Sequence, residues 1–139
     1  PGISVLDLGS GSGILGIAAA KLGATRVLAL DTDPQAVKAT GDNVAINGVA
    51  VVVEPREGTL ESAGGETFDV IVANISGLTL ERLADGLAAS LKAGGALIAS
   101  GFLEDAVAGL RRAFEGAALR IERVVDEGVW RAIVVRRMP

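Results

Sequence analysis

Apolar residues along the chain follow two rhythms. Short, nearly continuous apolar runs at 3–8, 26–30, 51–53, 68–73 and 96–100 have the length and makeup of strands buried on both faces. Between them the apolar positions widen to helical spacing. Residues 13–22 are apolar on nearly every side, Ala18, Ala19 and Ala20 favour helix, and Gly23 closes it. Asp33-Pro34 starts a second helix, with Asp as the cap and Pro at the first helical position. Val37, Thr40 and Val44 carry that helix to Asn47-Gly48. Leu80, Leu83, Ala84, Leu87 and Leu91 predict one amphipathic helix stopped by Gly94-Gly95, and Val107, Leu110 and Phe114 predict another. Residues 56–66 read as a polar loop with a short helix.

After residue 118 the rhythm changes. Two strand-like runs, 119–125 and 129–135, are separated only by Asp126-Glu127-Gly128. So short a turn joins antiparallel neighbours, because a parallel crossover needs a dozen or more residues. The pattern predicts an α/β fold: five βα units and a C-terminal antiparallel hairpin, forming one domain over residues 1–139.

Composition supports this outline and removes several chemistries. Half the residues are hydrophobic but only 3% are aromatic, so Val, Ile, Leu and Ala must fill the interior. With no Cys and no His, disulfides, thiolate zinc sites, Cys nucleophiles and Ser-His-Asp triads are excluded. Nothing points to a metal site. The net charge of -4 argues against direct nucleic-acid binding and is compatible with a basic partner. The sequence has neither a membrane-length apolar run nor a basic-then-apolar leader, so a soluble cytoplasmic protein is expected. Its start at Pro1, three residues before a strand, reads as a cut from something longer. The oligomeric state stays open.

The chemistry concentrates where strands end. Asp7-Leu8-Gly9-Ser10-Gly11-Ser12-Gly13 lies between the first strand and its helix, a nucleotide-binding arrangement. Gly11 to Gly16 also satisfies G-x-G-x-x-G, so NAD competes with S-adenosylmethionine. Asp7 favours the latter: a carboxylate there repels pyrophosphate and attracts the ammonium of a methionine moiety. The terminal hairpin also departs from a dinucleotide-binding second half. The candidate cofactor site is therefore Asp7, Gly9, Ser10, Gly11 and Gly13, joined by Asp31 and Thr32 at the end of the second strand. Asp31, 22 residues after Gly9, is placed to accept from both ribose hydroxyls, while Asp33 caps the helix. Glu57 is either an adenine contact or a solvated loop charge. Asn74 ends the fourth strand beside the glycine loop and is the candidate catalytic residue as well as a cofactor contact. Its amide can hold an incoming amine, although Asn also suits turns. Trp130 reads as packing rather than substrate contact, and Arg131, Arg136 and Arg137 as a solvated face.

The runs LDLGSGSGILGIAAAKLGA, LDTDPQAVKAT, DNVAINGV, FDVIVANI and LIASGFL, in this order, resemble the PrmA family, methyltransferases of large-subunit ribosomal protein eleven. The resemblance extends from Leu6 to about Trp130. It implies a Rossmann-like class I methyltransferase fold, a seven-stranded mostly parallel sheet with helices on both faces and an antiparallel last strand. It implies S-adenosyl-L-methionine as cofactor, with Gly9, Asp31 and Asn74 at cofactor-binding positions. The expected reaction is N-methylation of lysine and α-amino groups of a ribosomal protein. An N-terminal substrate-recognition domain and an upstream Thr that contacts the cofactor are further family features, expected outside this sequence. Three other readings stay open: a class I methyltransferase of a small molecule or RNA, a non-catalytic cofactor-binding domain, and an NAD-dependent fragment.

Overall fold

The computed structural model describes residues 2–139. Strand and helix alternate through β1 (Ser4–Leu8), α1 (Ile14–Lys21), β2 (Arg26–Asp31), α2 (Pro34–Ile46) and β3 (Val53–Glu57). They continue through β4 (Phe68–Asn74), α3 (Gly77–Arg82), α4 (Ala84–Ser90), β5 (Leu91–Leu103) and α5 (Val107–Glu115) to the hairpin β6 (Leu119–Glu127) and β7 (Trp130–Arg137). Short 3-10 turns occupy Leu60–Ala63 and Glu104–Ala106.

All strands join one seven-stranded sheet in the order β3-β2-β1-β4-β5-β7-β6, as the resemblance implied. Strands β1 to β5 pair in parallel, and β7 lies antiparallel between β5 and β6. The chain therefore works outward from β1 to β3, then returns to β1's other side with β4. The carboxyl ends of β1 and β4 flank that reversal, where open α/β sheets bind ligands.

Strand residues alternate between two buried faces, which is why the runs lack polar positions. Leu6, Leu28, Leu30, Ile71 and Leu97 turn to one face and pack with Leu80, Leu87, Leu110 and Phe114. Val5, Val27, Ala29 and Val53 turn to the other and pack with Ile17 and Val44. No helix among the described residues is long and apolar enough to cross a membrane.

Three expectations shift. The third strand is Val53–Glu57, not 51–53; Val51 is fully exposed in the preceding turn. As an edge strand β3 tolerates Pro55, which has no N–H for a further neighbour. Its Glu54 accepts from Arg26 of β2 at 2.8 Å, and the same guanidinium donates to Glu66, before β4, at 3.1 Å. The helix expected over 80–91 is two, α3 and α4, because Leu83 (φ -92°, ψ 2°) leaves helical geometry between them. Val129 belongs to the hairpin turn, and β7 starts at Trp130.

Candidate functional site

The loop after β1 is held from three directions. Gly9 N–H and Ser10 N–H both donate to Leu30 O at 2.9 Å, tying the loop to β2. Gly11 N–H donates to Asp31 Oδ2 at 2.9 Å, and Gly13 N–H to Ser10 O at 2.8 Å. From α2, the Thr40 hydroxyl donates to Gly11 O at 2.9 Å and lies 3.3 Å from Ser10 Oγ. Thr40 is fully buried, and a Cβ on Gly13 would come within 2.8 Å of its Cγ2. Gly13, at φ 86°, thus serves both a left-handed turn and a close helix approach.

These bonds bear on which cofactor the loop can serve. A pyrophosphate cradle needs free backbone N–H groups facing the ligand. Here the amides of Gly9, Ser10, Gly11 and Gly13 are all engaged within the fold. Gly16 N–H, the last glycine of the G-x-G-x-x-G match, donates to Asp7 Oδ2 at 3.0 Å. The loop is shaped as a wall rather than an anion nest.

Asp7 is 1% exposed, behind the loop rather than on the cleft surface. Burial raises its pKa from 3.8 to about 6; the Gly16 hydrogen bond pulls it down, and the charge of Asp31 adds to the rise. Its carboxylate braces the first turn of α1. Asp31 is fixed by two donors, Gly11 N–H to Oδ2 and Asp33 N–H to Oδ1 at 3.0 Å. Each carboxylate oxygen keeps a second lone pair for an outside donor. Asp33, as expected, caps α2, its Oδ1 accepting from Gln35 N–H at 2.9 Å.

Two clefts open at this end of the sheet. The first, about 480 Å³, has Gly9, Asp31 and Thr32 on one side, Asn74 and Ile75 on the other, and Gly58 at its edge. Its walls are mainly apolar, through Leu8, Leu60 and Leu83. The volume is in the range of small-molecule sites. A fixed carboxylate for a vicinal diol, apolar walls for a base and a glycine at the point of closest approach suit a nucleoside. Among the sequence candidates, Gly9, Asp31, Thr32 and Asn74 meet here. Ser10, Gly11 and Gly13 shape the loop, while Glu57 is exposed and outside the lining residues.

The second cleft, also about 480 Å³, lies between β5 and the hairpin, lined by Ser100, Gly101, Val125, Glu127 and Trp130 together with Asn74. Asn74 thus lines both clefts, and its side chain makes no hydrogen bond among the described residues. Gly101, at φ 100°, makes room for it: a Cβ there would stand 2.5 Å from Asn74 Oδ1. Trp130, expected to be packing, is 55% exposed in this cleft.

Sequence reasoning missed Gly58, Ile75 and Gly101. Gly58 carried a signal, a glycine straight after a strand, but the misplaced third strand hid it. Thr40 counted only as helical spacing; a hydroxyl among buried positions was the available clue.

The family model "Ribosomal protein L11 methyltransferase (PrmA)" matches residues 1–138. A ribosomal protein L11 methyltransferase from Heliobacterium modesticaldum is 45% identical over 133 residues, 96% of this chain and 42% of that protein. One from Pelobacter propionicus is 46% identical over 134 residues, 96% of this chain and 43% of its own length. The chain thus spans less than half of these relatives. The crystal structure of a ribosomal protein L11 methylase from Lactobacillus delbrueckii subsp. bulgaricus superposes with a TM-score of 0.90 at 32% identity, covering all of this chain and 72% of the other. An RNA methyltransferase from Salinibacter ruber, solved with S-adenosyl-L-homocysteine, gives a TM-score of 0.81 at 25% identity over 98% of this chain and 81% of its own. With the family model matched almost end to end, the chain belongs to the ribosomal protein L11 methyltransferase (PrmA) family.

Proposed function

We propose that this chain is the S-adenosylmethionine-binding catalytic domain of a cytoplasmic methyltransferase that N-methylates lysine and α-amino groups of a ribosomal protein. The observation that carries the reading is Asn74, shared by two clefts and free of internal partners. One cleft suits a nucleoside, the other an approaching side chain, and the shared residue is a donor and an acceptor at once.

Asp31 accepts from the two ribose hydroxyls with the lone pairs its backbone donors leave free. Gly9 lets the ligand approach the loop, Thr32 borders the ribose, and Ile75 and Leu60 cover the base. Ser10, Gly11 and Gly13 keep the loop in shape. Asp7 acts from behind it, through α1, and its charge favours a cationic ligand. Asn74 Oδ1 accepts from the incoming amine and aims its lone pair into the first cleft. When bound, S-adenosylmethionine supplies a methyl group already activated by the positive charge on its sulfur. Positioning and exclusion of water are then the main tasks left to the protein. The amine attacks only when neutral; lacking His, Cys and Tyr, the chain leaves its proton to water or a carboxylate.

Calorimetric titration of the full-length protein tests the cofactor assignment. Saturable S-adenosylmethionine binding is expected, with none for NAD. Asp31→Ala should weaken it about 100-fold, the loss of two hydrogen bonds to a charged acceptor. NAD binding that depends on Asp31, or no S-adenosylmethionine binding, would overturn the reading.

A further inference from the structure

The second cleft has a polarity of its own. Its floor is small and apolar, with Gly101, Ala132 and Val125, and Trp130 forms an aromatic wall. Glu127 stands at its mouth on the hairpin. Nearby, Arg131 is the local cation, and two carboxylates already claim it: Glu104 Oε2 at 2.8 Å and Asp126 Oδ1 at 3.0 Å. Its guanidinium also donates to the carbonyls of Gly128 and Trp130, and its side chain is 18% exposed. Arg131 is therefore neutralised and fixed. Glu127, by contrast, makes no ion pair and no side-chain hydrogen bond among the described residues, although it lines the cleft.

An aromatic wall, an apolar floor and one unpaired carboxylate suit an aminoalkyl side chain. Its ammonium would meet Glu127 at the mouth on entry, and its methylenes would then lie along Trp130 with the nitrogen toward Asn74. A phosphate backbone would instead meet three carboxylates and an engaged arginine. We propose that this cleft docks a cationic lysine side chain of a protein substrate, with Glu127 as the residue that selects for positive charge. The inference rests on the methyltransferase reading, because it makes the second cleft the acceptor's side of Asn74. Glu127 is a specificity residue: it draws the protonated side chain in and takes no part in methyl transfer.

Trp130 is the only tryptophan in the chain, which has no tyrosine, so its emission reports on this cleft alone. The titrants are acetyl-Gly-Lys-Gly-amide, its Nε-acetylated twin and a short single-stranded RNA. The lysine peptide should change the emission saturably, and added salt should weaken it. Its apparent affinity should fall about two- to fivefold in Glu127→Gln, the range of an exposed ion pair. The acetylated peptide should bind the native chain more weakly and ignore the substitution. Glu127 is exposed next to the hairpin turn, so Glu127→Gln leaves the packing intact. Equal responses to both peptides, indifference to Glu127→Gln, no saturable response, or a response to RNA alone would each overturn the assignment. The calorimetric titration with S-adenosylmethionine is separate. Its failure would remove the methyltransferase reading, whereas a failed peptide titration beside normal cofactor binding would remove only the role of Glu127.

Discussion

Asp7 is a charge held where it costs stability, and Asp7→Asn should show how much. Its pKa, raised from 3.8 to about 6 chiefly by burial, means that the folded state holds this proton more tightly than the unfolded chain. That difference corresponds to about 3 kcal/mol disfavouring the ionised form in the fold. The penalty is absent below the unfolded pKa, grows as pH climbs from about 4 to 6, where the folded protein binds more protons than the unfolded chain, and is complete above that. Asn keeps an oxygen for Gly16 N–H but carries no charge; part of the gain is offset because a neutral acceptor makes a weaker hydrogen bond. The variant should therefore be about 1–3 kcal/mol more stable than the native protein near neutral pH. Near pH 4 the two should nearly coincide. Urea unfolding followed by circular dichroism across this range gives the difference curve. Taking the difference removes Glu54 and Asp69, whose carboxyls are held low by Arg26 and by Ser4 N–H respectively and which both versions share. A variant less stable at neutral pH, or a gap that does not change with pH, would refute the argument. The Gly16 hydrogen bond would then outweigh the burial of the charge.

Gly101→Ala should displace Asn74, since the new Cβ would lie 2.5 Å from its Oδ1 at a backbone φ of 100°. Methyl transfer should fall about tenfold or more, in keeping with the sensitivity of catalysis to small misplacements, and by more than cofactor affinity does. Steady-state kinetics beside calorimetry checks this, and an unchanged rate would argue against Asn74 as the aligning group. Phe114→Ala empties a fully buried position between α5 and the sheet and should cost about 3–5 kcal/mol, read from the urea midpoint.

Legibility followed burial. β1, β2 and β4 sit in the sheet's interior, so both faces had to be apolar, and their runs stood out. The glycine loop and Asp31 were readable because they fall directly at the ends of those strands. β3 was obscured because an edge strand escapes that constraint: Glu54, Pro55 and Arg56 look like a loop until Arg26 and the pairing with β2 supply their context. The break at Leu83 left no trace, because Leu80, Leu83, Ala84 and Leu87 keep helical spacing through it. The place of Asn74 at the end of β4 was legible, but its sharing of two clefts depends on Gly101 and the hairpin, which sequence separates widely. The exposure of Trp130 was hidden for a related reason. Its neighbours in space are Leu103 and Glu127, and pairing decides that rather than local pattern.

The insertion of β7 between β5 and β6 governs when the sheet becomes whole. β7 is made after β6 yet lies inside the sheet, and until Trp130–Arg137 arrives β5 presents an open edge and β6 has nothing to pair with. Early in synthesis the nascent chain can form only β1 to β5 with their helices, the half that holds the glycine loop. An open apolar edge invites association with other chains, so loss of this eight-residue strand would be felt as aggregation before it was felt as lost activity. The second cleft, walled by Trp130 and Arg131, comes into being only once β7 is in place. A product cut before β7 would keep the glycine loop and Asp31 yet lose the Trp130 wall beside Asn74, so one strand both closes the sheet and shapes the second cleft.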